Sequence, residues 1–177
     1  MLEHIVLGTV YDEPHTGYEI KREIEDSIGI IYRASYGSLY PLLKRLSDRK
    51  LIKETGSDQT EAGGRIKKYY QITAAGKKYF HEWLAEPMVF PDTLENQLGK
   101  IFFFGKLTKQ ERKQQFDSYE KSIAEFREKL QDLHDACMSK SDSEHDYYHG
   151  AIVSYGQMML DNLERWCENV KKEKKLF

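Results

Sequence analysis

This 177-residue sequence predicts a mainly α-helical protein with one small β-hairpin, on three observations. Tyr36 to Ile52 has the leucine spacing of a short helix, with small polar and aromatic residues at its start and basic residues along one face. Gly63-Gly64-Arg65-Ile66-Lys67-Lys68-Tyr69-Tyr70 then reads as a glycine-bearing basic hairpin. Further on, Phe116, Tyr119, Ile123, Phe126, Leu130, Leu133 and Cys137 recur at alternating spacings of 3 and 4, the seam of a long helix packed lengthwise on another. A helix able to enter a groove, followed by a hairpin able to grip phosphates, is the plan of a winged helix-turn-helix. The seam adds a C-terminal α-helical, coiled-coil-like dimerisation domain.

Leu2, Ile5, Val6 and Val10 have helical spacing, and Asp12-Glu13-Pro14-His15 ends that helix because proline disfavours helix in the residue before it. Thr16 with Glu19 three residues on is a capping box, starting a second helix that buries Ile20, Ile24 and Ile28 and stops at Gly29. In the third helix Leu39, Leu42, Leu43 and Leu46 face the core, and Pro41 falls in its first turns. Leu51 to Thr55 and Lys68 to Ile72 read as strands around a polar tip, residues 56–64. Thr73 caps a fourth helix reaching about Leu84. The two prolines of Glu86-Pro87-Met88-Val89-Phe90-Pro91 mark the domain boundary, giving 1–86 and 87–177. A helix from Asp92 or Thr93 through Leu107 follows. Thr108 with Glu111 caps the long seam helix, Ser139 to Ser143 breaks it, and a last helix carries Tyr148, Ile152, Tyr155, Met159, Asn162, Trp166 and Val170 on one stripe. One antiparallel partner cannot cover so wide an apolar face, so a second chain is expected there.

The formal net charge is −2, yet it is unevenly placed: Arg33 to Lys78 holds eleven lysines and arginines against four acids. Affinity for DNA follows the phosphates actually neutralised, so that local surplus matters more than the total. Two isolated cysteines, Cys137 and Cys167, suit a reducing cytoplasm and form neither a disulfide framework nor a thiolate zinc site. No apolar run approaches the roughly 20 residues of a membrane span, and the N-terminus has no signal-peptide pattern.

Ser35, Tyr36 and Ser38 open the third helix, where hydroxyls and unpaired N–H groups can meet phosphate oxygens. Tyr40, Lys44 and Arg45 extend along or across the groove, and Arg65, Lys67 and Lys68 are the basic side of the wing. Asp58 and Glu61 near the wing tip repel phosphate.

The N-terminal half resembles the PadR family of transcriptional regulators. Pro14-His15-Thr16-Gly17-Tyr18-Glu19-Ile20 carries the resemblance, then Gly37-Ser38-Leu39-Tyr40-Pro41-Leu42-Leu43-Lys44-Arg45-Leu46, then Gly64-Arg65 through Lys68-Tyr69-Tyr70-Gln71-Ile72-Thr73-Ala74-Ala75-Gly76. The match covers about residues 2–85, and the remaining helices are similar in layout to the longer branch of the family, whose C-terminal helices form a dimer. The resemblance implies a repressor that binds an inverted repeat of double-stranded DNA as a homodimer and is released by a small, often aromatic, effector. It adds Thr16 and Tyr18 to the DNA-facing set. Trp83, Phe102, Tyr155 and Trp166 are the candidate effector walls, although ordinary core packing is the commoner explanation for each. Phe116, Tyr119, Ile123, Phe126, Leu130, Tyr155, Met159 and Trp166 are the dimerisation set. Lys50 departs from the pattern: the family often has glycine after the recognition helix, and a left-handed backbone there costs lysine about 1 kcal/mol.

Other chemistries find thinner support. His145 and His149 stand at i, i+4 beside Asp142, Glu144 and Asp146, but no third metal ligand is evident and a solvated helix start explains the acids. Gly63-Gly64 lacks the P-loop arrangement. No nucleophile, base and acid combine, so neither an enzyme nor a metal site nor any other cofactor is expected. The competing class is a helical dimer that binds protein without specific DNA affinity.

Overall fold

The structure, a computed structural model, describes residues 1–29, 32, 34–58, 67–138 and 144–173. Its elements run α1 (Leu2–Thr9), β1 (His15–Thr16), α2 (Gly17–Ser27), α3 (Tyr36–Asp48), β2 (Ile52–Asp58), β3 (Lys67–Ile72), α4 (Ala74–Ala85), α5 (Leu94–Phe102), a 3-10 turn (Phe104–Lys106), α6 (Lys109–Met138) and α7 (Glu144–Lys172). Contacts divide them into two units. Met1–Glu86 clusters with Thr93–Lys106, and Pro87–Asp92 clusters with Leu107–Phe177.

In the first unit Ile5, Val6, Ile20, Ile24, Leu39, Leu42, Leu43 and Leu46 are buried, the same apolar stripes that the helical spacing predicts. Thr16 and Glu19 form the predicted capping box on α2. Pro41 lies inside α3, where its missing N–H forgoes one intrahelical bond to the Gly37 carbonyl.

The end of α3 is a Schellman motif: Leu51 N–H donates to the Leu46 carbonyl and Lys50 N–H to the Ser47 carbonyl, both at 2.9 Å. Lys50 takes the left-handed conformation this requires, at φ 58°, so the glycine-to-lysine departure is a strained backbone held by its surroundings. Those surroundings are Thr73, whose hydroxyl donates to the Lys50 carbonyl at 2.7 Å, and Gly76, where an added Cβ would sit 2.0 Å from the Leu51 carbonyl oxygen.

The sheet has three strands in the order β1-β3-β2, all antiparallel, rather than the two of a bare hairpin. His15, expected in a helix break, and Thr16, expected as a helix cap, pair with Tyr70 and Tyr69. Two residues carry no alternation of their own; β3 supplies the ladder that makes them a strand. The wing tip at residues 59–66, Arg65, Gly63 and Gly64 included, lies outside the described residues.

α5 stops at Phe102 instead of running to Leu107. Phe103 packs where Gly8 leaves room, an added Cβ on Gly8 lying 2.3 Å from the ring, and the chain tightens into the 3-10 turn to place it. Lys100 of α5 is buried and its Nζ donates to the Glu86 carbonyl at 2.7 Å.

The second unit is an antiparallel α6–α7 pair with a short strap across it. Met88 N–H donates to Gln115 Oε1 and Phe90 N–H to Ser122 Oγ, each at 2.7 Å. Phe90 sets its ring edge-on to Phe126 at 5.0 Å. Arg127 pairs with Asp161 at 2.7 Å and Glu164 at 2.9 Å across the hairpin.

Within a single chain the predicted dimerisation set divides into buried and exposed residues. Phe116, Tyr119 and Ile123 are at most 1% exposed within a single chain, and Leu130 is buried too, against Gly156 of α7. Trp166 is half-buried with its ring 5.8 Å from Phe116. A heptad seam says only that a helix packs lengthwise on another; Phe116 and Leu130 of this one pack on the chain's own α7. Most of the apolar surface left uncovered in this unit is on α7, where Tyr147, Tyr148, Ile152, Tyr155 and Met158 are 58–74% exposed; Leu133 of α6 is 58% exposed.

Candidate nucleic-acid interface

Ser35 caps α3 by accepting from Ser38 N–H at 3.2 Å, and Ser38 Oγ accepts in return from Ser35 N–H at 3.2 Å. The two hydroxyls therefore hold the helix end first, and Tyr36 and Gly37 keep first-turn N–H groups without an intrahelical acceptor. Around this end stand three exposed phenols: Tyr18 at 61%, Tyr36 at 44% and Tyr40 at 48%. Tyr36 and Tyr40 stack at 6.0 Å, and Lys21 Nζ lies 4.8 Å from the Tyr36 ring centre. Tyr40 reaches across to the start of α2, where an added Cβ on Gly17 would meet its ring at 3.0 Å. Aromatic side chains at a surface helix end, backed by a neighbouring helix, are rigid contact points with a hydrogen-bonding tip.

The cations are placed around them. Lys44 pairs with Asp48 one turn on at 2.9 Å, while Arg45 and Lys67 are exposed. Lys68 bridges to Glu54 of β2 at 3.1 Å. Of the two roles expected of Thr16, its geometry serves the cap: it is buried and its hydroxyl accepts from Glu19 N–H, so it builds the start of α2. Its own N–H donates to Glu19 Oε2 at 2.7 Å, which holds the Glu19 carboxyl below its usual range. Tyr36, Ser38, Tyr40, Lys44 and Arg45 share α3, with Ser35 as its cap, and Lys67 and Lys68 lie on β3. Lys21 and Arg22 of α2 escaped the sequence reading because charges on an amphipathic helix look like a solvated face.

The predicted effector walls fall in both units, Trp83 and Phe102 in the first and Tyr155 and Trp166 in the second. Trp83 is buried, stacked on His4 at 4.4 Å and donating Nε1–H to Asn96 Oδ1 at 3.4 Å. It is linked to Phe102 through the ring chain Phe80 and Phe103. Tyr155 and Trp166 sit three turns apart on α7. Among the described residues no three His, Cys, Asp or Glu side chains gather as metal ligands, and the side chains of His145, His149 and Cys137 lie outside them. No helix among the described residues is long and apolar enough to cross a membrane.

Residues 6–82 match the family described as "Transcriptional regulator PadR-like family". The chain is 26% identical over 176 residues to the negative transcriptional regulator PadR of Bacillus subtilis (strain 168), covering 96% of this chain and 95% of that one. Among solved structures, Bacillus subtilis PadR in complex with operator DNA is 24% identical with a TM-score of 0.48, covering 96% of both chains. The same protein in complex with p-coumaric acid is 23% identical with a TM-score of 0.43, covering 96% of this chain and 95% of that one.

Proposed function

The chain belongs to the PadR-like family of transcriptional regulators, and on that premise we propose that it is a DNA-binding repressor acting as a homodimer on an inverted-repeat operator in the cytoplasm. The observation that carries this reading is the N-terminus of α3: a capped helix start with free N–H groups, ringed by Tyr18, Tyr36 and Tyr40 and flanked by Lys67 and Lys68 of β3. Helix N–H groups and lysines orient the duplex through its phosphates, and the exposed face of α3 reads the major groove. Residues 1–86 are the DNA-binding domain and 87–177 the dimerisation domain in this reading. The exposed apolar row of α7 supports a second copy there, since a surface this apolar is uncommon on a protein that stays alone. The repressor sense is supported by the relative of matching length named as a negative regulator.

Release by a small aromatic effector completes the proposal. Such a molecule acts by binding the DNA-incompetent arrangement better than the competent one. Selection of bound duplexes from a randomised library tests the whole reading. Enrichment of an inverted repeat with half-sites about one helical turn apart is expected. A pool that stays random, or a site without two-fold symmetry, contradicts it.

A further inference from the structure

Beside α3 runs a groove of about 630 Å³, with α2 on one wall and β3 on another. Its cations are Arg22 from α2 and Lys67 and Lys68 from β3. Its acid, Glu19, is committed to the Thr16 backbone, and Lys68 is committed to Glu54. Arg22 is differently placed. Its Nε makes one long contact with Asp26 Oδ2 at 3.4 Å, a turn further along α2, and the side chain is 70% exposed. That contact uses one of the five guanidinium donors and leaves the Nη groups, which match a phosphate with two parallel hydrogen bonds. Tyr18 and Tyr40 bring phenol groups to the same groove. Cations on facing walls with phenols between them suit a polyanionic strand lying along the groove better than a compact ligand.

We infer that this groove seats one sugar-phosphate strand flanking the recognition helix, with Arg22 as a phosphate ligand contributed by α2. The inference rests on the DNA-binding reading above and extends the contact surface from α3 and the wing to the exposed side of α2.

The test compares wild type with Arg22→Ala, Arg22→Lys and Lys67→Ala on one selected duplex across a salt series. Each phosphate contact contributes about 0.9 to the slope of log K against log salt. Arg22→Ala is expected to flatten the slope by about that amount per bound chain and to weaken binding several-fold at low salt. Arg22→Lys should keep the slope but bind more weakly, because an ammonium lacks the guanidinium fork. The inference is overturned if Arg22→Ala leaves slope and affinity unchanged while Lys67→Ala lowers both, or if Arg22→Lys loses the slope as fully as alanine. A wild-type protein with no salt-dependent complex would instead overturn the DNA-binding reading itself. Arg22 is exposed, so unchanged thermal midpoints verify that the variants are folded.

Discussion

Replacing Glu54 by Gln is predicted to tighten DNA binding. Glu54 holds Lys68 at 3.1 Å, with the two side chains 48% and 56% exposed. An ion pair this open contributes about 0.2–1 kcal/mol to stability, so the fold loses little when it goes. The same amount is what Lys68 must give up to turn to a phosphate. Removing the carboxylate therefore raises affinity by a factor of about 1.4–5 per chain, or about 2–30 for a two-chain complex. Fluorescence anisotropy on a labelled duplex at two salt concentrations measures the change. The gain should shrink at high salt, where exposed charges are screened. Affinity that falls in the variant, with the thermal midpoint unchanged, would mean that Lys68 does not contact DNA and that Glu54 serves another purpose.

Phe116→Ala and Tyr155→Lys should separate the core from the dimer surface. Phe116 is fully buried in its own chain, so its truncation is expected to cost about 3–5 kcal/mol of stability in denaturant titration. Tyr155 is 70% exposed, and its lysine variant should sediment as a folded monomer with little stability lost; a stable Phe116→Ala monomer would reverse these assignments. Burial pushes the His4 imidazole from 6.5 down to about 4, so the folded state prefers it neutral. Its contribution is complete above pH 6.5 and is lost as pH falls toward about 4. His4→Phe, which keeps a ring against Trp83, should flatten that part of the pH profile, and an unchanged profile counts against the neutral stack. Burial also pushes the Cys167 thiol up to about 11. In a Cys137→Ser background a thiol reagent at pH 8 should therefore label the native protein slowly and the denatured protein at once. Full native labelling contradicts the packing described for α7.

The parts of the fold that were legible in the sequence are those set by local chemistry. Thr16 with Glu19 and Thr108 with Glu111 each cap the helix their spacing marks. The leucines of α3 are buried as their spacing requires, and the departure at Lys50 flagged a left-handed residue that is present. What escaped depends on distant partners. Two residues of β1 become a strand only because Tyr69 and Tyr70 lie beside them. Phe103 ends α5 early because Gly8, some ninety residues away, makes room for its ring. The heptad from Phe116 carries the same signal whether its partner is α7 of the same chain or a second chain. At the candidate site, Ser35 and Ser38 looked like phosphate ligands, yet their hydroxyls meet each other, a reciprocal cap that residue type alone does not distinguish from a ligand.

Lysine acetylation footprinting, free and with a selected duplex, tests the central claim most directly, because it reports which face meets DNA without substituting any residue. Lys44, Lys67 and Lys68 should lose reactivity on binding, while Lys121 and Lys129, exposed on α6, should react as in the free protein. Protection of the α6 lysines with Lys44 and Lys67 left reactive would contradict the assignment of α3 and β3 as the DNA-binding surface.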